Sequence, residues 1–182
     1  MKKVISLFIT VLILVAVHMS FACSGKLIHL GATSAVEERL LAEMAALMIT
    51  ERTGSTVKID IYRESKDLYK AAGKGNIDLF FENTVHAAEV VGKTKDSTYE
   101  QIKNEFKARF NLTCLQPIGG TSRYAPILTA ETQTIYPSMI KLMNKLTNSL
   151  SDGTFTVLLT SVEHGETTKK VAKEFLKGKR LI

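Results

Sequence analysis

Residues 27–61 read LIHLGATSAVEERLLAEMAALMITERTGSTVKIDI, and the succession of patterns in this stretch sets the fold class. Leu27 to Leu30 is a short apolar strand, broken by Gly31. Ser34 and Glu37 stand in the Ser-x-x-Glu spacing of a capping box, which marks a helix start. Val36, Leu40, Met44, Leu47 and Met48 then share one helical face, with Glu37, Glu38, Glu43 and Glu51 away from it. Gly54 supplies the left-handed residue that ends such a helix. From Thr56 to Ile61 the period changes to two: Val57, Ile59 and Ile61 point one way, Thr56, Lys58 and Asp60 the other. Strand, helix, strand is the repeating unit of a parallel sheet.

Downstream the alternation continues. Ser65 caps a short helix through Lys70 that ends near Gly73 and Gly75, Ile77 to Phe81 reads as a third strand, and Thr84 to Val91 as a short helix. Ser97 and Glu100 form a second capping box, followed by Tyr99, Ile102, Phe106 and Phe110 at helical spacing. Leu112 to Leu115 is a fourth strand. Pro117, Gly119 and Gly120 open a loop to about Thr134, with room for one more short strand near Ile127-Leu128. Three apolar stripes make the tail helical: Tyr136, Met139, Ile140, Met143, Leu146; then Phe155, Leu158, Leu159, Val162; then Val171, Ala172, Phe175, Leu176. The pattern predicts an α/β fold, a mostly parallel sheet flanked by helices.

Upstream, Lys2 and Lys3 precede an unbroken apolar run from Val4 to Val17, and Ser20-Phe21-Ala22 places small residues where a signal peptidase cuts. Residues 1–22 read as a secretion signal; an uncleaved signal anchor is the alternative, although the run is short for a bilayer. Residues 23–182 then form one domain of about 160 residues, enough for a real core. Cys23 at the cut resembles the cysteine of a bacterial lipobox, with Ser20 and Phe21 departing from its usual residues. The expectation is an extracytoplasmic protein anchored to the membrane by lipid on Cys23, which takes more than one acyl chain; secretion without lipid would cut the same bond. Cys114, in an apolar run, reads as a buried free thiol, with a Cys23–Cys114 disulfide as the alternative.

Net charge is +6, falling to about +4 without Lys2 and Lys3, and the charges of both signs are interspersed. That is a solvated surface with no nucleic-acid stripe, though basic enough to approach anionic headgroups. His29, His86 and His164 are not in metal-ligand spacing, and no CxxC or Cys/His cluster occurs. No Gly-x-Ser-x-Gly element is present, and Gly73-Lys74-Gly75 reads as a helix end instead of a nucleotide cradle. The expectation is a non-enzyme without metal or cofactor.

Gly31 to Gly54 and Ile77-Asp78-Leu79-Phe80-Phe81-Glu82-Asn83-Thr84 resemble the first lobe of solute-binding proteins of ABC importers, in the branch for glycine betaine, choline and carnitine. Tyr99 to Pro117, Tyr136-Pro137-Ser138-Met139 to Leu146, Ser151-Asp152, Val162 and Val171 to Leu176 resemble later segments of that family in order and spacing. The resemblance implies one lobe of a type II periplasmic-binding-protein-like fold, a quaternary-amine ligand and an ABC permease as partner. Two departures stand out. The family inserts a second lobe, but Pro117 to Tyr136 is under twenty residues, too few for one of ~100. Asn83 stands where the family has a cage tyrosine, Val85 replaces a glycine, and there is no tryptophan.

Ligands of such sheets sit beyond the carboxyl ends of the strands. That places Thr33 and Ser34 after the first strand, Tyr62 and Arg63 after the second, Glu82, Asn83 and Thr84 after the third, and Tyr124 after the fourth as candidate contacts. Competing roles are helix capping for Ser34, half-buried packing for Tyr62 and Tyr124, and a solvated loop acid for Glu82. Two functions follow: a solute-binding component of a quaternary-amine importer, or a single-lobe interaction or regulatory protein that has lost ligand capture and pairs with a second copy.

Overall fold

Ile28 and Leu30 have no exposed surface at all, which marks their strand as the centre of the molecule. A computed structural model describes residues 27–94, 97–120 and 124–182; the signal reading of residues 1–22 and the lipid site at Cys23 lie outside these. Strand β1 (Ile28–Ala32) leads through helix α1 (Val36–Thr53) to β2 (Val57–Ile61), and through α2 (Ser65–Gly73) to β3 (Leu79–Asn83). Helices α3 (Thr84–Val90) and α4 (Tyr99–Phe110) lead to β4 (Leu112–Cys114). A short 3-10 turn (Ile118–Gly120) precedes β5 (Tyr124–Thr129), followed by α5 (Ala130–Ile135), α6 (Ser138–Ser149), α7 (Asp152–Glu163) and α8 (Thr168–Gly178).

The sheet order is β2-β1-β3-β5-β4. β1 pairs in parallel with β2 and β3, while β5 runs antiparallel to both β3 and β4. Four strands therefore point one way and only β5 is reversed. The strand expected near Ile127-Leu128 begins earlier, at Tyr124, and the third strand lies two residues later than its apolar run, ending in Glu82 and Asn83. Hydrogen bonding to β5 extends β3 past the last apolar residue, which periodicity alone does not reveal.

Each face of the sheet has its own core. On one, Leu30, Leu79, Phe81 and Leu128 meet α1, α6, α7 and α8 through Leu40, Met44, Met143, Phe155, Val171 and Leu176. On the other, Phe80, Ile127 and Cys114 meet α2, α3 and α4 through Leu68, Ala88, Ile102 and Phe106. All three tail stripes thus pack on the same side as α1. Burial raises the Cys114 thiol to about 12, as expected of a free cysteine acting as a small hydrophobe.

The capping box expected at α4 shifts by one residue, and the one expected at α1 does not form. At α4 the box is Thr98 with Gln101, the hydroxyl accepting from Gln101 N and the amide oxygen accepting from Thr98 N. At α1 the residue before the helix is Ala35, which has no side-chain cap, and Ser34 is exposed. The Glu38 carboxylate instead accepts the Thr33 backbone N–H at 2.8 Å, and Thr33 Oγ1 accepts from Ala35 N at 3.2 Å. Ser65 is the first helical residue of α2, not its cap. Gly54 ends α1 with φ of 69°, the left-handed conformation expected of it.

The amino edge of the sheet is fastened by Asp78. Its carboxylate accepts His29 N from β1 at 2.8 Å and the Thr132 hydroxyl from α5 at 2.9 Å, and its backbone oxygen accepts Thr129 N at the end of β5. Thr132 is fully buried and its hydroxyl also meets that of Thr129 at 2.8 Å. A hydrogen bond to a charged group contributes about 1.5–3 kcal/mol, and a partner left buried and unpaired adds its own cost. Asp78→Ala is therefore expected to lower the unfolding free energy in urea by about 3 kcal/mol. Asp78→Asn, which keeps one acceptor, should lose clearly less; equal losses for the two would contradict this role.

Candidate binding site

The carboxyl edge of the sheet collects every candidate contact except where strand alternation turns a side chain over the opposite face. Because β5 is antiparallel, Tyr124 opens that strand instead of following the fourth, and pairs with Asn83 at the end of β3. It reaches the expected edge by the reverse direction.

Alternation along β3 and β5 divides the residues into two groups. Tyr124 packs with the α1 and α7 layer, its ring centroid 6.1 Å from that of Phe155 and 71° tilted. Asn83 side-chain Oδ1 caps α3 by accepting from Val85 N at 2.9 Å and His86 N at 3.4 Å. Ser34, Thr33, Glu37 and Glu38 at the start of α1 complete this side. Desolvation first, then the charges of Glu37 and Glu38, raise the Tyr124 hydroxyl to about 12. The ring stays neutral, half-buried, in a negative field.

Tyr62 lies with the other layer, packed against the α2–α4 core beside Asp60 and Lys58. The two tyrosines are therefore on opposite faces and do not oppose each other across one pocket. Arg63 is exposed beyond β2. Thr84, the first residue of α3, is buried at 6% exposure.

Glu82 is no solvated loop acid: it is 4% exposed. Its Oε2 accepts the Tyr69 hydroxyl at 2.7 Å, and its Oε1 accepts Asn83 N at 2.8 Å and lies 3.0 Å from His86 Nδ1. Three partners hold the carboxylate beneath the edge, on the α2–α4 side. Burial and the adjacent Glu82 charge push the Tyr69 hydroxyl far above the ordinary tyrosine range. This network braces the turn from β3 into α3 and leaves the solvent-facing part of the edge to Asn83 and Tyr124.

The sequence reading passed over Glu37, Glu38 and Phe155 as site residues. The two acids looked like an ordinary helix start, where they also suit the helix dipole. Phe155 looked like core, and it reaches Tyr124 only because α7 folds back over α1. Val36, Ile61 and Val85 are 38%, 54% and 44% exposed and rim the same edge. Among the described residues no group of three His, Cys, Asp or Glu is placed to hold a metal ion.

Residues 26–135, well over half the chain, match the model of the substrate binding domain of the ABC-type glycine betaine transport system. The chain belongs to this family. The family is a transport substrate-binding domain and not an enzyme family. Solved structures share the fold at low identity: apo YehZ from Escherichia coli is 14% identical with a TM-score of 0.78, over 87% of this chain and 100% of that one. The structure of a glycine betaine/carnitine/choline ABC transporter is 13% identical with a TM-score of 0.73, over 86% of this chain and 99% of that one. No curated protein sequence matches the chain.

Glu38 gives the site a pH signature. Burial raises its carboxyl above 4.5, outweighing the Thr33 hydrogen bonds that lower it. Between pH 4.5 and that raised value the folded state binds the proton more tightly than the unfolded chain, so stability falls as pH rises through the window. Glu38→Gln cannot ionise and escapes this loss. Its melting temperature should exceed that of the wild type at pH 7 and converge with it below pH 4.5. A constant offset across that range would show that Glu38 titrates normally.

Proposed function

We propose that this chain is the extracytoplasmic solute-binding component of an ABC importer and takes a small quaternary amine, such as glycine betaine or choline, at the carboxyl edge of its sheet on the α1–α7 side. The observation that carries this reading is the neutral Tyr124 face set in the field of Glu37 and Glu38. A cation held over an aromatic face gains about 0.5–2 kcal/mol, more when desolvated, and nearby carboxylates add to the attraction. Family membership supports the ligand class. Thr33, Ser34, Asn83 and Tyr124 are the first contacts in this reading; Tyr62, Arg63, Glu82 and Thr84 are outlying or bracing. Residues 1–22 direct export and Cys23 carries the lipid anchor. The permease meets the same edge, where Val36, Ile61 and Val85 are exposed.

One aromatic wall cannot enclose a ligand, and small-molecule sites ordinarily bury most of theirs. Calorimetry with glycine betaine, choline and carnitine is expected to give a dissociation constant of about millimolar for the monomer. Tyr124→Ala should weaken it roughly tenfold, while Tyr62→Ala on the opposite layer leaves it within twofold. Micromolar binding by a demonstrated monomer would contradict the one-wall account, and no binding by any of the three amines would remove the ligand assignment.

The anchor has a separate test. Mass spectrometry of the membrane fraction should find acylated Cys23 as the first residue, and Cys23→Ala should appear at precursor mass or in the soluble fraction. An unmodified Cys23 thiol in the wild type refutes the lipid assignment.

A further inference from the structure

The two lateral edges of the sheet differ. β4, at one, has only three residues, and Leu112 and Cys114 are buried. β2, at the other, runs for five residues without proline, glycine or bulge, in unbroken register with β1. Ile28 N donates to Thr56 O and Tyr62 N donates to Ala32 O, so the even-numbered residues of this segment turn their backbone groups toward β1. Backbone direction alternates along a strand. The N–H and C=O groups of Val57, Ile59 and Ile61 therefore point away from the sheet, and none of the described residues bonds to them. A straight edge with free backbone groups is a template for another strand.

The charges on β2 say which strand fits. Lys58 and Asp60 stand two residues apart on one face, Nζ 2.6 Å from Oδ1, and the exposed Lys58 ammonium has further donors to give. A second β2 turned end for end about Ile59 sets Lys58 opposite Asp60 twice over. The outward groups agree with this centre: Ile59 with Ile59, and Val57 with Ile61 on either side, exchange both N–H···O bonds. Lys58 and Asp60 then fall in the non-hydrogen-bonded pairs, where facing side chains are closest. A slip to the neighbouring bonded register sets Lys58 against Lys58 in one direction and Asp60 against Asp60 in the other. Charge thus selects one register, and the occupant is a second copy of this chain.

We propose that β2 pairs antiparallel with β2 of a second copy, Ile59 facing Ile59 and Lys58 facing Asp60, to make one continuous sheet through two molecules. Pairing takes up the backbone of Ile61 and leaves Val36 and Val85 open at the carboxyl edge. The antiparallel arrangement sets the amino edge of each copy beside the carboxyl edge of the other. This matters for the anchor and permease reading, on which the pairing itself does not depend. Cys23 is four residues from Leu27 at the amino edge, a reach of at most about 14 Å, and β1 alone spans about 17 Å. In a single copy the anchor and the crevice are at opposite ends; in the pair, the anchor of one copy holds the crevice of the other toward the membrane and its permease.

The test is sedimentation equilibrium of the full chain in detergent over a concentration series. Detergent contributes equally to every variant, so the readout is the difference between them. Pairing of one short strand is a small interface, and the wild type is expected to dimerise in the micromolar range. Lys58→Asp turns both attractive pairs repulsive and should weaken the dimer about thirtyfold, as should Asp60→Lys. Mixing these two variants should restore the wild-type affinity as a heterodimer. Lys173→Asp on α8, with the same change of net charge, should leave it unchanged. Ile61→Pro removes an outward donor that β1 does not use, and should be monomeric with an unchanged far-UV spectrum. If Asp60→Lys does not fold, since Asp60 also meets His29 at 2.6 Å, Lys58→Asp and Ile61→Pro decide. A wild type that stays monomeric overturns the pairing. A dimer that survives both Lys58→Asp and Ile61→Pro forms through another face and also overturns it, as does equal weakening by Lys173→Asp. A folded mixture that fails to pair overturns the register.

Discussion

The reversed strand β5 needs a fastening, and the Asp78 carboxylate supplies it. β5 lies between β3 and β4 and returns the chain to the amino edge, where α5 begins. There Asp78 joins β1 through His29 N, α5 through the Thr132 hydroxyl, and β5 through its own backbone oxygen. With β5 held beside β3, α6, α7 and α8 have one uncovered surface to pack against, the face already carrying α1. A short connection from β4 thus suffices to close the larger core. The same reversal delivers Tyr124 to the carboxyl edge opposite Asn83.

Period-two alternation then sorts the edge into two chemistries. Side chains on the α1–α7 side, Asn83 and Tyr124, remain partly open to solvent and near the acids of the first turn of α1. Side chains on the α2–α4 side, Glu82 and Tyr69, are drawn into a closed hydrogen-bonded group with His86. A buried carboxylate is tolerated only when its oxygens are occupied, and here they are. The arrangement makes Glu82 a brace for the β3–α3 turn.

Charge is distributed along the strand direction. Glu37, Glu38 and Glu82 lie where the strands end, and Arg52, Lys141 and Lys145 lie toward where they begin. Helix α1 spans this gradient, with Glu37 and Glu38 in its first turn and Arg52 in its last, each favourable to the helix dipole.

The sequence by itself determined the elements and their sides. The shift from helical to alternating period between Met48 and Val57, the glycine ending α1, the buried Cys114 and the three tail stripes follow from local spacing, since each amphipathic element must hide one face. Capping was legible to within a residue at α4, where Ser97 and Thr98 offer the same hydroxyl one position apart, and not at α1, where no side chain caps the helix. The tertiary structure alone decided the direction of β5, the separation of Tyr62 from Tyr124, the burial of Glu82 and the approach of Phe155 to Tyr124. Those depend on which strand hydrogen-bonds to which, and a change of one residue in register or a reversal of direction moves a side chain to the other face. Such pairings join residues far apart in the chain, so no window of sequence contains both partners.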